Sequence, residues 1–262
     1  MENLLVAILV SSIFALFSKY KKALTDAGTI MGWILSIVIT FSLGIRGFTI
    51  LLMTFVGTLV AGKIKHQKRD KIIKDINQKP GKRDFVQVFV NVGIGSLAAS
   101  LFYITKDDIY VIVYACVMAS SLADSMASEF GVLSKKNPID ICTFKRSARG
   151  ISGGVSILGL CSSLLGSLVI GVTFYVMNGF NLFDLLFITG MGFMGALIDS
   201  IFGSLVQVKY KCAVCGKKTE KKEHCNKKTI YSRGIKFVNN DVVNFLNNLS
   251  VFVLSLIILI SR

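Results

Sequence analysis

Two Asp-Ser pairs, at Asp124 and Asp199, lie in segments that are otherwise apolar enough to cross a membrane. A carboxylate at membrane depth costs about 2.5–3.5 kcal/mol on insertion scales, so it usually faces a polar cavity, a partner charge or a bound ion. Serine or glycine lies four positions before and after each aspartate, so the same helix face would admit a cation or a phosphate. The pair is therefore a candidate Mg²⁺ site with catalytic roles for both residues.

A third carboxylate, Glu129, follows Asp124 by five residues, which is about 140° around a helix of 3.6 residues per turn. A straight helix cannot aim both carboxylates at one ion. Either the helix breaks near Gly131 or the two groups have separate roles. Glu129 remains a candidate catalytic residue.

A basic stretch that contains several glycines follows at 144–156. Point charges, free backbone N–H groups and the positive end of a helix dipole together suit a phosphate. The stretch is neither a Walker motif nor a dinucleotide fingerprint. Taken on its own, the stretch is better explained as a positive loop followed by a glycine packing face. The candidate phosphate-binding residues are Lys145, Arg146, Arg149, Gly150, Gly153 and Gly154.

Side-chain amides crowd the start of two further apolar segments. Gln87 and Asn91 share one helix face, where they would bond a neighbouring helix or contact a ligand. Asn240, Asp241 and Asn244 fall within about one turn, and an N-cap role for Asn240 or Asp241 explains one of them but not all. Asp241 is a candidate catalytic residue, and the four amides are candidate nucleotide-binding groups.

A cysteine and histidine cluster lies in a different segment, between the last two apolar stretches. Cys212 and Cys215 form a CxxC pair, and His224 with Cys225 follows nine residues later. Three cysteines and one histidine are the ligands of a closed structural Zn²⁺ site. A redox pair is the alternative, but no thioredoxin-like context surrounds it.

The elements that must position these residues are membrane helices. The chain has 262 residues, 53% of them hydrophobic, and a mean hydropathy of +0.64. This composition excludes disorder and argues against a soluble domain. Segments long enough to cross a core of about 30 Å lie near 4–17, 29–44, 48–62, 86–104, 109–128, 153–176, 183–207 and 242–260. The first and third are short, so we expect an all-α polytopic bundle of seven or eight transmembrane helices in a single integral membrane domain, 1–262.

The net charge of +15 follows the topology of such a bundle. With eight spans, Lys and Arg residues number 3, 9, 5 and 10 in the connections 18–28, 63–85, 129–152 and 208–241, against 1, 1 and 0 in 45–47, 105–108 and 177–182. The positive-inside rule places the first set in the cytoplasm and both termini outside. The Cys/His loop, 208–236, is then a small cytoplasmic zinc-knuckle-like insertion, and no nucleic-acid partner is expected.

The unusual polar residues all fall near the cytoplasmic ends of spans. Mg²⁺ prefers carboxylates together with substrate phosphates, and a site at that height suits a lipid whose head is polar and whose tail stays in the bilayer. Phosphoryl or nucleotidyl transfer to a prenyl lipid fits. A transporter or lipid flippase with ion-binding aspartates is the alternative, as is an assembly scaffold that docks through the Cys/His loop. Possible self-association is left open.

An ordered series of motifs resembles the integral membrane family catalogued as domain of unknown function ninety-two, which includes the phytyl-phosphate kinase of tocopherol synthesis. The residues that carry the resemblance include Gly28, Arg83, Gln87, Asn91, Asp124, Glu129, Gly150, Gly153, Asp199, Cys212, Cys215, His224, Cys225, Asn240, Asp241 and Asn244. The resemblance implies an isoprenoid monophosphate kinase that uses a nucleoside triphosphate and Mg²⁺, with CTP as the expected donor and ATP as the alternative. In that hypothesis Asp124 and Asp199 hold Mg²⁺, and Arg149 with Lys145 or Arg146 binds nucleotide phosphates. Glu129 or Asp241 orients the attacking phosphate or binds a second metal ion.

Overall fold

A computed structural model describes residues 2–63, 72, 76 and 81–262. Its helices are α1 (Glu2–Tyr20), α2 (Asp26–Lys63), α3 (Phe85–Thr105), α4 (Ile109–Gly131), α5 (Ile157–Met177), α6 (Leu182–Leu205) and α7 (Asn240–Ile260). All seven are long and apolar enough to cross a membrane. The prediction of a polytopic all-α membrane protein is confirmed. Most of the lysine-rich connection predicted at 63–85 lies outside the described residues.

Helix α2 is a hairpin of two helical halves. At Gly44 the backbone has φ 65° and ψ −157°, a conformation that breaks the helix. A Cβ on Gly47 would lie 3.3 Å from Cγ2 of Ile39, and Met31 packs against the same small cluster as Phe55. In a straight helix, Met31 and Phe55 would be about 36 Å apart. The second and third predicted spans are therefore the two halves of α2, and the described helices contain eight apolar segments.

Helix α4 lies at the centre of the bundle. Residues 113–119 have no exposed surface, because α4 packs against α2, α3, α5, α6 and α7. Small residues allow the helices to approach closely: a Cβ on Gly192 of α6 would lie 2.7 Å from the Cβ atoms of Ala119 and Ser167. Long aliphatic side chains on the outer helices, such as Leu16 and Leu186, are more than 60% exposed and suit a lipid environment.

The bundle has two chemically different ends. At one end, called here the site end, Gly62 lies near Glu129 and Ser156 Oγ donates to Gly131 O. At the opposite end, Arg46 donates to Asn178 Oδ1 at 3.5 Å. The Arg262 guanidinium lies over the ring of Phe183, at the start of α6. The site end carries the basic connections, and the opposite end carries the short ones.

Short strands fold the connections at the site end. The strands are β1 (Ile139–Asp140), β2 (Gly154–Val155), β3 (Lys209–Lys211), β4 (Lys218–Thr219), β5 (Glu223–His224), β6 (Lys227–Lys228) and β7 (Ile230–Arg233). β1 pairs with β2, β3 lies between β4 and β7, and β5 pairs with β6, all antiparallel. The basic stretch after α4 is therefore a folded loop closed by β1 and β2, with the next helix starting only at Ile157.

Candidate functional site

A polar cavity of about 210 Å³ opens at the site end between α3, α4, α5, α6 and α7. The last turns of α4 and α6, the first turns of α3, α5 and α7, and the loop before α5 form its walls. The predicted site residues that line it are Gln87, Asn91, Asp124, Glu129, Gly150, Gly153, Gly154, Asp199, Asn240 and Asn244.

The side chains of Asp124 and Asp199 both line this cavity and lie close enough to interact directly with each other. Asn244 of α7, with its amide nitrogen turned toward the carboxylate, donates to Asp199 Oδ1 at 3.1 Å and to Asn240 O at 3.2 Å. Both aspartates are half-buried because they face the cavity rather than lipid. Two carboxylates held this close form a strong site for a cation or for a shared proton.

Arg83, two residues before α3, supplies the positive charge of the cavity. Its Nη2 donates to Ser125 Oγ at 3.2 Å, and its guanidinium interacts electrostatically with Glu129 and Asp124. Glu129 thus reaches the same cavity as Asp124 from another face of α4, near the end of that helix. Both carboxylates interact with Arg83, and they also lie close enough to repel each other.

Sequence reasoning assigned no role to Arg83, whose position depends on a contact between distant segments. Thr25 N donates to Arg83 O at 3.0 Å, and Arg83 N donates to Ala23 O at 3.1 Å. A Cβ on Gly28 would lie only 2.6 Å from Arg83 O, so this approach requires glycine. The segment 23–28, which leads into the first turn of α2, therefore holds the backbone of Arg83 beside the cavity.

Three helix N-termini open toward the cavity, those of α3, α5 and α7. Their N-caps are Asp84, Ser156 and Asn239. The expectation that Asn240 or Asp241 caps α7 is wrong, because Asn239 fills that position and accepts from the first turn. Asn240 consequently lines the cavity, whereas Asp241 is buried and lies outside the lining. Helix N-termini carry partial positive charge and unpaired N–H groups, which favours an anion.

The two amides of α3 are partly used within their own helix. Gln87 Oε1 accepts from Asp84 N at 3.1 Å, which completes a capping box. Asn91 Nδ2 donates to Gln87 O at 2.7 Å. Both side chains also line the cavity, so a local helix role and ligand contact are compatible.

The cations of the basic loop do not line the cavity. Lys145 and Arg146 are exposed, and Arg149 Nη2 donates to Lys135 O at 2.6 Å. Only the glycines of that loop, with Ile151 and the residues up to the α5 cap, reach the lining. The backbone of the loop, rather than its cations, faces the carboxylates.

Asp140 anchors this loop to the rest of the site end. Its carboxylate accepts from Ser204 Oγ at 2.7 Å and Thr143 N at 2.9 Å, and it pairs with Arg233 Nη2 at 3.2 Å. Burial alone would raise the pKa of Asp140, but these hydrogen bonds together bring it well below its usual range. Next to this anchor, Gly153 has φ +87°, and a Cβ there would lie 2.6 Å from the backbone of Ser204. The glycine is needed for the loop to touch α6.

The Cys/His cluster forms a separate group on the β3–β6 segment. The ligand atoms of Cys212, Cys215, His224 and Cys225 all lie within 4.8 Å of one another. Backbone N–H groups of Cys215 and Val214 donate to Cys212 Sγ and, as the main cause, lower the pKa of Cys212 to about 6. The thiolate, which is the metal-binding form of cysteine, is thus favoured there.

The chain matches a known family of membrane proteins. A family model described as integral membrane protein DUF92 matches residues 9–252. The chain belongs to this family. The prediction made from the ordered motifs is confirmed, and the match covers every residue that lines the cavity.

Several curated proteins are similar over most of their length. Protein PGR of Arabidopsis thaliana is 30% identical over 271 residues, covering 94% of this chain and 92% of its own. An uncharacterised membrane protein of Methanocaldococcus jannaschii is 28% identical, covering 79% of this chain and 84% of its own. A further uncharacterised membrane protein, from Synechocystis, is 27% identical over 72% of this chain and 74% of its own. No solved structure matches significantly.

Proposed function

We propose that this DUF92 protein is a membrane-embedded phosphotransferase that converts a prenyl monophosphate of the phytyl or geranylgeranyl type to the diphosphate, with CTP or ATP as the phosphoryl donor. The observation that carries the proposal is the close approach of the Asp124 and Asp199 carboxylates, from two different helices, in one polar cavity. Three helix N-termini and Arg83 open onto that cavity. By the positive-inside rule, the basic loops around it support a cytoplasmic position of the site end, where nucleotide is available.

The donor set fits Mg²⁺. Asp124 and Asp199 offer hard carboxylate oxygens from two different helices, and Glu129 lines the same cavity. Mg²⁺ is usually bound by one or two carboxylates plus substrate phosphates, so Asp124 and Asp199 would hold it. When bound, the ion would neutralise charge on the transferring phosphoryl group.

Phosphate groups would be held by backbone and by Arg83. The first turns of α3, α5 and α7 present N–H groups and the positive ends of their dipoles. Gly153 and Gly154 leave the backbone of the preceding loop open to the cavity. Arg83 adds a guanidinium that can bind phosphate oxygens in a fork geometry. This arrangement assigns to Arg83 the role that sequence reasoning gave to Arg149 with Lys145 or Arg146.

The reaction needs little proton transfer. An oxygen of the acceptor monophosphate forms a bond to the γ-phosphorus, while the bond between the γ-phosphorus and the β,γ-bridging oxygen breaks and releases the nucleoside diphosphate. The acceptor is already an anion, so it needs no general base. Positioning and charge neutralisation therefore supply most of the catalysis. Glu129, which interacts electrostatically with Arg83, would help to set the orientation of that guanidinium.

An apolar cavity beside the polar one suits the first carbons of a prenyl chain. It has a volume of about 50 Å³ and shares Arg83, Gln87 and Asn91 with the polar cavity. Its other walls are mostly apolar, including Leu51 and Phe55 of α2. A lipid phosphate could lie against Arg83 with its chain leading toward α1 and α2.

The core below the cavity favours an enzyme over a transporter. Tyr114, Met118 and Leu122 of α4 are completely buried, and they pack in the main apolar core with side chains from α2, α5 and α6. A transport path would require polar groups through the depth of the membrane. In the described helices, the carboxylates of the cavity lie at the site end, and buried apolar side chains lie below them.

The test is a transfer assay on the purified full-length protein with phytyl or geranylgeranyl phosphate, Mg²⁺ and CTP or ATP. Product diphosphate is measured by mass spectrometry. Asp124→Asn and Asp199→Asn should each lower the rate by about 100-fold or more, because they remove charge from the transfer site. Asp184→Asn is the matched control, since Asp184 lies in the first turn of α6, at the opposite end from Asp199.

Either of two results would overturn the proposal. The first is a folded wild-type protein that forms no prenyl diphosphate with either nucleotide. The second is an Asp124→Asn variant that forms as much product as the wild type.

A further inference from the structure

The Cys/His cluster has the spacing of a tetrahedral metal site. With Zn–S near 2.3 Å and Zn–N near 2.0–2.1 Å, a tetrahedral Zn²⁺ separates sulfur from nitrogen by about 3.6 Å and two sulfurs by about 3.8 Å. His224 Nδ1 lies 3.6 Å from Cys215 Sγ and 3.2 Å from Cys225 Sγ. All four ligand atoms lie within 4.8 Å of one another. The side chains therefore already surround a point suitable for one ion.

Two tight turns present these ligands. Gly216 has φ +71° and its N–H donates to Cys212 O, which closes the CxxC turn. Cys225 and Asn226 both have positive φ, near +54° and +57°, at the two-residue turn between β5 and β6. Positive φ is uncommon for residues other than glycine. The two turns direct the four Cys and His side chains toward one another.

The same segment holds Ser152 by both of its backbone polar groups. Lys209 Nζ, at the start of β3, donates to Ser152 O at 2.6 Å. Glu220, directly after β4, accepts from Ser152 N at 2.9 Å through Oε1. Lys209 is 2% exposed and Glu220 is 4% exposed. Lys209 and Glu220, both buried, thus bind the two backbone polar groups of Ser152, and this pair of contacts is called here the clamp.

The clamp and the cluster belong to one hairpin. Cys212 directly follows β3, Cys215 lies in the turn, and β4 returns the chain to Glu220. The pairing of β3 with β4 covers two residue pairs, Tyr210 with Thr219 and the next. A sheet this short is marginal without further support. A bound ion between the turns would fix the relative position of the two strands.

We propose that Cys212, Cys215, His224 and Cys225 bind a structural Zn²⁺, and that this ion keeps the β3–β4 hairpin closed so that it holds Ser152. Ser152 and the adjacent Gly153 line the polar cavity, so the zinc site sets the position of a loop that is more than 50 residues away in sequence. The zinc site does not depend on the proposed kinase activity. The consequence of the clamp for phosphate binding does rest on it.

Zinc binding is tested on the full-length protein purified without chelator. Metal analysis should find about one zinc per wild-type chain, as expected for a closed four-ligand site. Cys215→Ser should lose the metal. Cys142→Ser is the control, because Cys142 is a free cysteine in the β1–β2 loop outside the cluster. A wild type that binds no zinc, even after dialysis against Zn²⁺, would overturn the site.

The clamp is tested by hydrogen exchange without nucleotide or lipid. Removing zinc from the wild type should speed exchange of the Ser152 amide by about tenfold or more, as expected when its hydrogen bond to the Glu220 carboxylate opens. Adding Zn²⁺ back should reverse the change. Glu220→Gln, which can keep its fold and its zinc, should also speed exchange at Ser152. Unchanged exchange on loss of zinc would overturn the coupling, whatever the outcome of the transfer assay.

Discussion

Replacing Gly195 by alanine should separate the two aspartates. Gly195 of α6 faces Ser120 of α4 one helical turn away from the Asp199 and Asp124 pair. A Cβ at this position would overlap the Ser120 hydroxyl, lying 2.7 Å from Ser120 Cβ and 3.0 Å from Val251 Cγ2. Carbon atoms in contact prefer about 3.5–4.0 Å. Because α4 and α7 are both tightly packed here, α6 must move outward by about 1 Å.

The expected size of the effect follows from this displacement. Overpacking in a core costs about 1–3 kcal/mol, which lowers the unfolding temperature of a chain this long by about 2–10 °C. A misplacement of about 1 Å in a catalytic group can lower the rate about 100-fold. Gly195→Ala should therefore lose most of its transfer rate at temperatures where the variant is still folded.

The matched control is Gly190→Ala in the same helix. A Cβ at Gly190 would meet no atom within 4 Å, and alanine is favoured over glycine in a helix by about 1 kcal/mol. Both variants are compared in one detergent by thermal unfolding and by the transfer assay. If Gly195→Ala matches Gly190→Ala in both measurements, the contact between α4 and α6 does not position the aspartates.

Three other predictions follow from the site end. Arg83→Gln should lower the transfer rate by about tenfold or more, because it removes the positive guanidinium that would bind phosphate in the cavity. Lys82→Gln, at the exposed neighbouring position, should leave the rate unchanged. Asp140→Asn should destabilise the protein by about 2–3 kcal/mol at pH 7, because a charged acceptor of several hydrogen bonds is lost, as thermal unfolding would detect. The lowered pKa of Asp140 means that its carboxylate stabilises the wild type fully above the unfolded pKa of about 3.9. That contribution is lost as the pH falls through the lower folded pKa, so acid unfolding should begin at a higher pH in a variant without Arg233.

The helices of the bundle could be predicted from the sequence because membrane crossing imposes length and apolarity on each one. The long α2 shows where the prediction was incomplete. Its two halves are joined within one continuous helical stretch, and only the positive φ of Gly44 turns the chain back. The apolar windows located both halves, but they carried no information about how the turn is made.

The carboxylate pair could also be anticipated, since an intramembrane aspartate needs a partner. The position of Arg83 could not, because its backbone is held by a bridge to Leu24, some sixty residues earlier. The same limit explains Lys145 and Arg146. Their charge suggested phosphate binding, but Asp140 folds the loop so that its glycines, rather than its cations, face the cavity. Composition identifies a basic loop, whereas long-range hydrogen bonds decide which atoms face the site.

The central claim, that Asp124 and Asp199 hold a divalent cation that contacts nucleotide phosphate, is tested most directly by an experimental structure with Mn²⁺ and a non-hydrolysable CTP analogue. Mn²⁺ replaces Mg²⁺ among oxygen ligands and can be located by its anomalous scattering. The account predicts an anomalous peak between the two carboxylates, with the nucleotide phosphates beside Arg83 and the first turn of α5. Nucleotide bound elsewhere, or a carboxylate pair without Mn²⁺ when nucleotide is bound, would contradict it.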